Sequence, residues 1–197
     1  MYKKSLYRNS MPMSEFINRY QNVEKYLAYC KECPNYNTLW SCPSLSFDID
    51  GYLSKFSFIY LIAIKMDLSK ETIEAADTAE KIKSVTKDIL WKEKAWLQDK
   101  LLDAEKLLPG TTSFTAGGCT LCASCARKEN KPCRQPDKMR YSLDSFGFDL
   151  SAITHDLLGY DIQWCKGRLP DYYTLVHAFL SPEPVPENFW KKCNLAD

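Results

Sequence analysis

Residues 56–66 carry almost no polar side chain: Phe-Ser-Phe-Ile-Tyr-Leu-Ile-Ala-Ile-Lys-Met. Aromatic and β-branched residues at that density predict a buried strand. After Ser69, which reads as a cap, the period changes. Ile82, Val85, Ile89, Trp96, Leu101, Ala104 and Leu108 recur at roughly helical spacing, and no Gly or Pro intervenes before Pro109-Gly110. A single straight helix over that stretch would run about 58 Å, at about 1.5 Å per residue. That exceeds the width of a compact domain of this size, so a bend or break is expected near residues 86–88.

The remaining pattern is weaker. Phe16, Ile17, Tyr20, Val23 and Leu27 predict a short helix over 14–27, with Ser14 as its N-cap. Residues 111–116 read as a short strand. Residues 141–158 read as helical, with Ser142 as cap and an interruption at Gly147. Residues 160–165 and 172–180 read as a final strand pair, and the proline-bearing segment 181–197 as a surface-wrapping tail. The order strand, helix, strand, helix, strand, strand predicts an α+β fold. We expect a small, mainly antiparallel or mixed four-stranded sheet with helices packed on it, in a single domain over 1–197.

Two stretches escape both periods, and both are rich in cysteine. Residues 30–47 hold Cys30, Cys33 and Cys42 with Pro34 and Pro43, which excludes a regular element. Residues 117–137 hold Cys119, Cys122, Cys125 and Cys133. The whole chain of 197 residues has nine cysteines. No apolar run follows the N-terminal lysines, as a signal peptide would require, and the longest apolar run is too short for a bilayer, which needs about 20 residues. A cytoplasmic location is therefore expected. Clustered cysteines in that reducing compartment point to metal or redox chemistry rather than disulfides. With 26 basic and 25 acidic residues the net charge is +1. That balance provides no basic footprint for nucleic acid and no polybasic anchor for a membrane.

The second loop carries the stronger signal. Cys119-x2-Cys122-x2-Cys125 lets three thiolates wrap three corners of one cubane cluster, with Cys133 supplying the fourth. Gly117 and Gly118 free the backbone just before it. A structural zinc site is the alternative, although zinc more often takes two separate C-x2-C knuckles. In the first loop, Cys30-x2-Cys33-Pro34 and Cys42-Pro43 supply three thiolates. Three readings compete: a second cluster with Cys165, or next Cys193, as fourth ligand; a cluster with one open iron acting on a substrate; or zinc. A crossed arrangement, with Cys42 serving the other loop, is a further scheme.

Together the loops resemble the family called domain of unknown function 2284, described as predicted metal-binding proteins. The resemblance rests on Cys30-x2-Cys33-Pro34-Asn35-Tyr36, Trp40-Ser41-Cys42-Pro43, Gly118-Cys119-x2-Cys122-x2-Cys125 and Pro132-Cys133-Arg134-x-Pro136. It continues through Arg140-Tyr141-Ser142-Leu143-Asp144-Ser145-Phe146-Gly147-Phe148-Asp149 and covers nearly all of the chain after residue 25. It implies metal binding through Cys30, Cys33, Cys42, Cys119, Cys122, Cys125 and Cys133, and no known reaction.

Other residues receive blander readings. Arg134 and Arg140 are expected in salt bridges to Asp137, Asp144 or Asp149, and Asp149 as a helix cap. His155 and His177 are expected to be structural, Cys193 a free thiol, and Tyr36, Trp40 and Trp164 core residues. Nucleotide, haem and radical S-adenosylmethionine signatures are absent. The function expected is a cytoplasmic iron–sulfur protein with one or two [4Fe-4S] clusters that passes electrons to a redox partner protein. The alternatives are an enzyme with an open iron at Cys30, Cys33 and Cys42, and a zinc-stabilised interaction module.

Overall fold

The computed structural model describes residues 1–195. Its centre is a four-stranded, wholly antiparallel sheet in the order β1-β2-β4-β3. The strands are β1 (Tyr2–Pro12), β2 (Phe58–Leu68), β3 (Thr112–Phe114) and β4 (Tyr172–Ser181). The helices are α1 (Met13–Tyr20), α2 (Val23–Lys31), α3 (Ile49–Leu53), α4 (Lys70–Ala75), α5 (Ala79–Leu107), α6 (Leu150–Ile153) and α7 (Phe189–Lys192). The expected α+β class and four-stranded sheet are present, and the sheet has no parallel pair.

The apolar run of β2 is explained by its place at the centre, with both faces covered. Ile62, Ile64 and Met66 pack with Leu97, Leu101 and Ala104 of α5 and with Phe179 of β4. Ile59, Leu61 and Ala63 point to the opposite face, where they meet Met13 and Phe16 of α1, Phe146, Phe148 and Ile153. A sheet sandwiched in this way needs apolar residues at every position, so period-2 alternation disappears.

β1 corrects the reading of the N-terminus, where no strand was expected. It pairs with β2 along its full length, from Tyr2 opposite Leu68 to Pro12 opposite Phe58. No residue of β1 is buried. Its lysines and arginine mark a solvated edge, where charge discourages further strand pairing, and Pro12 ends it where no partner strand needs its amide.

The long helix breaks at Ala76, where φ is −91° and ψ 65°, about ten residues before the expected bend. Thr78 starts α5 by accepting a hydrogen bond from the Lys81 amide at 3.3 Å. From there α5 is continuous for 29 residues, about 43 Å. The predicted 14–27 helix is likewise two helices, with Asn22 capping the second. Residues 160–165 form no strand, and Ser142 caps nothing. Asp149 does cap α6, accepting from the Ala152 amide at 3.0 Å. The tail does not simply wrap the surface. Phe189, Trp190, Cys193 and Leu195 enter the core on the α5 side; residues 196–197 of that predicted tail lie outside the described residues. No described helix is long and apolar enough to cross a membrane.

Candidate metal centre

One stripe of α5 holds the second cysteine loop at three levels. Lys94, Gln98 and Glu105 stand four and then seven residues apart, so they share a helix face. The Lys94 ammonium donates to Gly118 O and, at 3.5 Å, to Gly117 O. Gln98 Nε2 donates to Lys138 O at 2.9 Å. Glu105 accepts from the Ser113 amide at 2.7 Å and from Arg140 Nε at 2.9 Å. The ion-pair partner of Arg140 is therefore Glu105; of the aspartates expected, Asp137 supplies only its backbone carbonyl, at 3.1 Å. Arg134 contacts Ser124 O at 3.0 Å and Glu129 at 3.7 Å, again not an expected partner.

So anchored, the loop places Cys119, Cys122, Cys125 and Cys133 around one small cavity of about 30 Å³. Leu39, Trp40, Leu121 and Met139 complete most of its wall. Among the described residues, no three Cys, His, Asp or Glu side chains converge on a point close enough to hold one metal ion. The four cysteines line a common space instead, with Arg134 and Gln135 also in its wall. By donor type, four thiols among largely apolar side chains suit either an iron–sulfur cluster or zinc.

Cys30 closes α2, Cys33 lies in the turn after it, and Cys42 is buried. Cys42 and Cys33 both act electrostatically on Cys30. Burial pushes the Cys30 thiol up to about 11, assisted by the Asp144 carboxylate. Burial also raises Cys42 and Cys119. A metal bound by these thiols would have to displace their protons. Cys165 lies elsewhere, exposed, with its Sγ donating to Arg168 O at 3.2 Å. Cys193 is buried and unpaired.

The two loops are fastened to each other. Arg127 donates to Leu39 O at 2.8 Å, Cys42 O at 2.7 Å, Ser44 O at 2.7 Å and Asn37 Oδ1 at 3.1 Å. Its guanidinium also lies over the Trp40 ring at 5.1 Å. The indole of Trp40 donates to Lys131 O at 3.0 Å. Ser41 Oγ lies 3.8 Å from Cys42 Sγ and accepts from the Cys119 amide at 2.9 Å. Gly118 seals the join. A Cβ there would come within 2.8 Å of Leu39 Cδ1 and 3.5 Å of Cys42 Sγ. Sequence reasoning passed over Lys94 and Arg127, quoted Ser41 only within a motif, and gave Asp144 only as a salt-bridge partner of an arginine. No local signal marks the arginine or the lysine among so many basic residues.

His177 is fully buried, with Nε2 3.3 Å from Thr115 Oγ1, and burial holds it down at about 3. Unfolded, it titrates at about 6.5. Its contribution to stability is thus complete above about pH 6.5 and is lost as the pH falls toward 3, because only the unfolded chain takes the proton. His177→Gln is expected to flatten the decline of the thermal midpoint between about pH 6.5 and 5. Equal slopes in both proteins would assign the decline to other groups. His155, as expected, is structural and exposed, 2.9 Å from Asp161.

A helix-buttressed antiparallel sheet that carries two interlocked cysteine loops defines a cysteine-rich protein built to present thiols. Comparison agrees: a family described as "Predicted metal-binding protein (DUF2284)" matches residues 17–177. The chain belongs to that family. No curated protein matches it, and no solved structure does.

Proposed function

We propose that the protein is an iron–sulfur protein that transfers electrons to a partner protein. In this reading, Cys119, Cys122, Cys125 and Cys133 hold one [4Fe-4S] cluster, and Cys30, Cys33 and Cys42 hold a second. The observation that carries the proposal is the cavity walled by all four cysteines of the second loop. The C-x2-C-x2-C spacing favours a cubane over zinc. A cluster there supplies one-electron chemistry. The chain's own part is to exclude water with Leu39, Trp40 and Met139, and to hold the two loops against each other through Ser41 and Arg127.

Anaerobic purification tests this. A brown protein with broad absorbance at about 400 nm and acid-labile sulfide is expected. A colourless protein with stoichiometric zinc would replace the electron-transfer reading with a zinc-stabilised interaction module. Cys122→Ser is expected to remove the iron of one cluster and leave that of the other; unchanged iron would reject the ligand assignment.

A second reading, an enzyme with an open iron at Cys30, Cys33 and Cys42, is favoured by one observation. Gly118 lines a broad cavity of about 1000 Å³ and also lies beside Cys42. Cys165→Ser separates the cases. Unchanged iron content would favour an open position, and loss of iron would make Cys165 the fourth ligand.

A further inference from the structure

The polar groups around the two sets of cysteines differ in kind. At the second loop they favour an anionic sulfur. The Gln135 amide donates to Cys133 Sγ at 3.4 Å. A backbone hydrogen bond from Leu121 favours the ionised form of Cys119. Such N–H donors draw charge from a thiolate, and hydrogen bonds to the sulfurs are one of the levers that set a cluster's reduction potential.

At the first loop, acceptors and negative charge face the sulfurs. Cys30 Sγ lies 3.9 Å from the Asp144 carbonyl oxygen, a contact that binds only while the sulfur keeps its proton. The Asp144 side chain acts electrostatically on both Cys30 and Cys42. Its Oδ1 is buried and has no hydrogen-bond partner among the described residues, so no donor disperses its charge. The backbone fixes where that charge stands. The turn at 144–146 packs against α2, near whose end Cys30 lies. The Asn22 amide donates to Gly147 O at 2.8 Å, and a Cβ on Gly147 would come within 2.6 Å of Val23 Cα. Ser41 Oγ, 3.8 Å from Cys42 Sγ, is a donor that tempers this side. Lys94 and Arg127 do not favour one site. Lys94 acts on both Cys42 and Cys119, and Arg127 belongs to one loop while it bonds to the other.

We propose that Asp144 sets unequal potentials: its carboxylate holds the metal group of Cys30, Cys33 and Cys42 at a lower reduction potential than that of Cys119, Cys122, Cys125 and Cys133. Reduction adds an electron, and a fixed anion nearby opposes it. N–H donors beside the other group assist it. The two sites are thereby ordered, and an electron added to the protein settles first at the second loop. The inference rests on the iron–sulfur reading and adds to it the residue that ranks the two sites.

Redox titration of anaerobically purified protein tests the proposal, with dithionite as reductant and the electron paramagnetic resonance of the reduced clusters as readout. Iron and sulfide are counted first. Their absence would reject the cluster reading and this proposal with it; every later outcome bears on the proposal alone. Two one-electron steps of unequal midpoint are expected. Cys122→Ser should abolish the higher step and keep the lower. Asp144→Asn should raise the lower midpoint by about 59 mV, which is about a ten-fold change in the ratio of oxidised to reduced protein for one electron, and leave the higher nearly unmoved. Asp144→Glu, which keeps the charge, should preserve most of the difference, as a merely structural role would not require. A single step in the unaltered protein would overturn the proposal, as would a higher step that survives Cys122→Ser. So would a lower midpoint indifferent to Asp144→Asn with both clusters retained. Loss of iron from Asp144→Asn would also overturn it, by giving the residue a structural role.

Discussion

Glu105→Leu will lower the unfolding free energy by about 3–5 kcal/mol, the loss expected when one partner of a buried ion pair is removed. The side chains of Arg140 and Glu105 are only 16% and 12% exposed. The carboxylate accepts from Arg140 and also from the amide and hydroxyl of Ser113, the hydroxyl at 2.6 Å. Leucine leaves the guanidinium buried without a counter-charge and the Ser113 donors without their acceptor. The double variant Glu105→Leu, Arg140→Leu removes both charges and should recover much of the loss. Urea unfolding of the four proteins in the cycle measures the coupling. Simple additivity of the two single losses would show that the pair is not a structural unit. Because Arg140 lies just past the second cysteine loop and donates to the carbonyl of its last residue, Asp137, metal content should fall along with stability in the single variant.

Arg127→Met acts on the site itself. It keeps the apolar stem but removes four hydrogen bonds, three of them to backbone carbonyls of the first loop. Charge-assisted bonds of this kind are worth about 1.5–3 kcal/mol each when buried. Arg127 is only partly buried, so a total of about 2–4 kcal/mol is expected after discounting for solvent. The more telling readout is stoichiometry. With the loops unfastened, metal should be lost from both cysteine groups at once, although Arg127 is not a ligand to either. Arg19→Met is the control, since the ion pairs of Arg19 are to Glu15 and Asp156, outside both loops. Comparable metal loss in both variants would remove the special role assigned to Arg127.

The parts legible in the sequence are those whose cause is local. β2 was visible because burial on both faces leaves a continuous apolar run. The seven cysteines of the two loops were visible because their spacing is itself the signal. β1 was invisible because an edge strand with no buried residue has no apolar pattern, and its pairing partner lies some 50 residues away in the chain. The break before α5 was misplaced because Ser69 was read as the cap of one long helix and Thr78 was not read as a second. Ser69 and Thr78 are both capping residues, and a second cap means a second helix. Asn22 repeats the lesson between α1 and α2. Gly147 shows the opposite case. Its φ of +81° and the 2.6 Å approach of a would-be Cβ to Val23 Cα explain a glycine that sequence marked only as an interruption. The fastening of one cysteine loop to the other depends on Arg127, Ser41 and Trp40 meeting groups about 80–90 residues distant, which no spacing rule reports.

Small zinc modules have little shape until an ion arrives, so for them uptake and folding are one event. The three-level attachment of the second cysteine loop to α5 places this protein in another regime. The loop is given its form by a helix that belongs to the hydrophobic core, through side chains that contain no sulfur. Its course is thus tied to the stability of the whole domain, and damage to α5 should reach the loop even where every cysteine is intact.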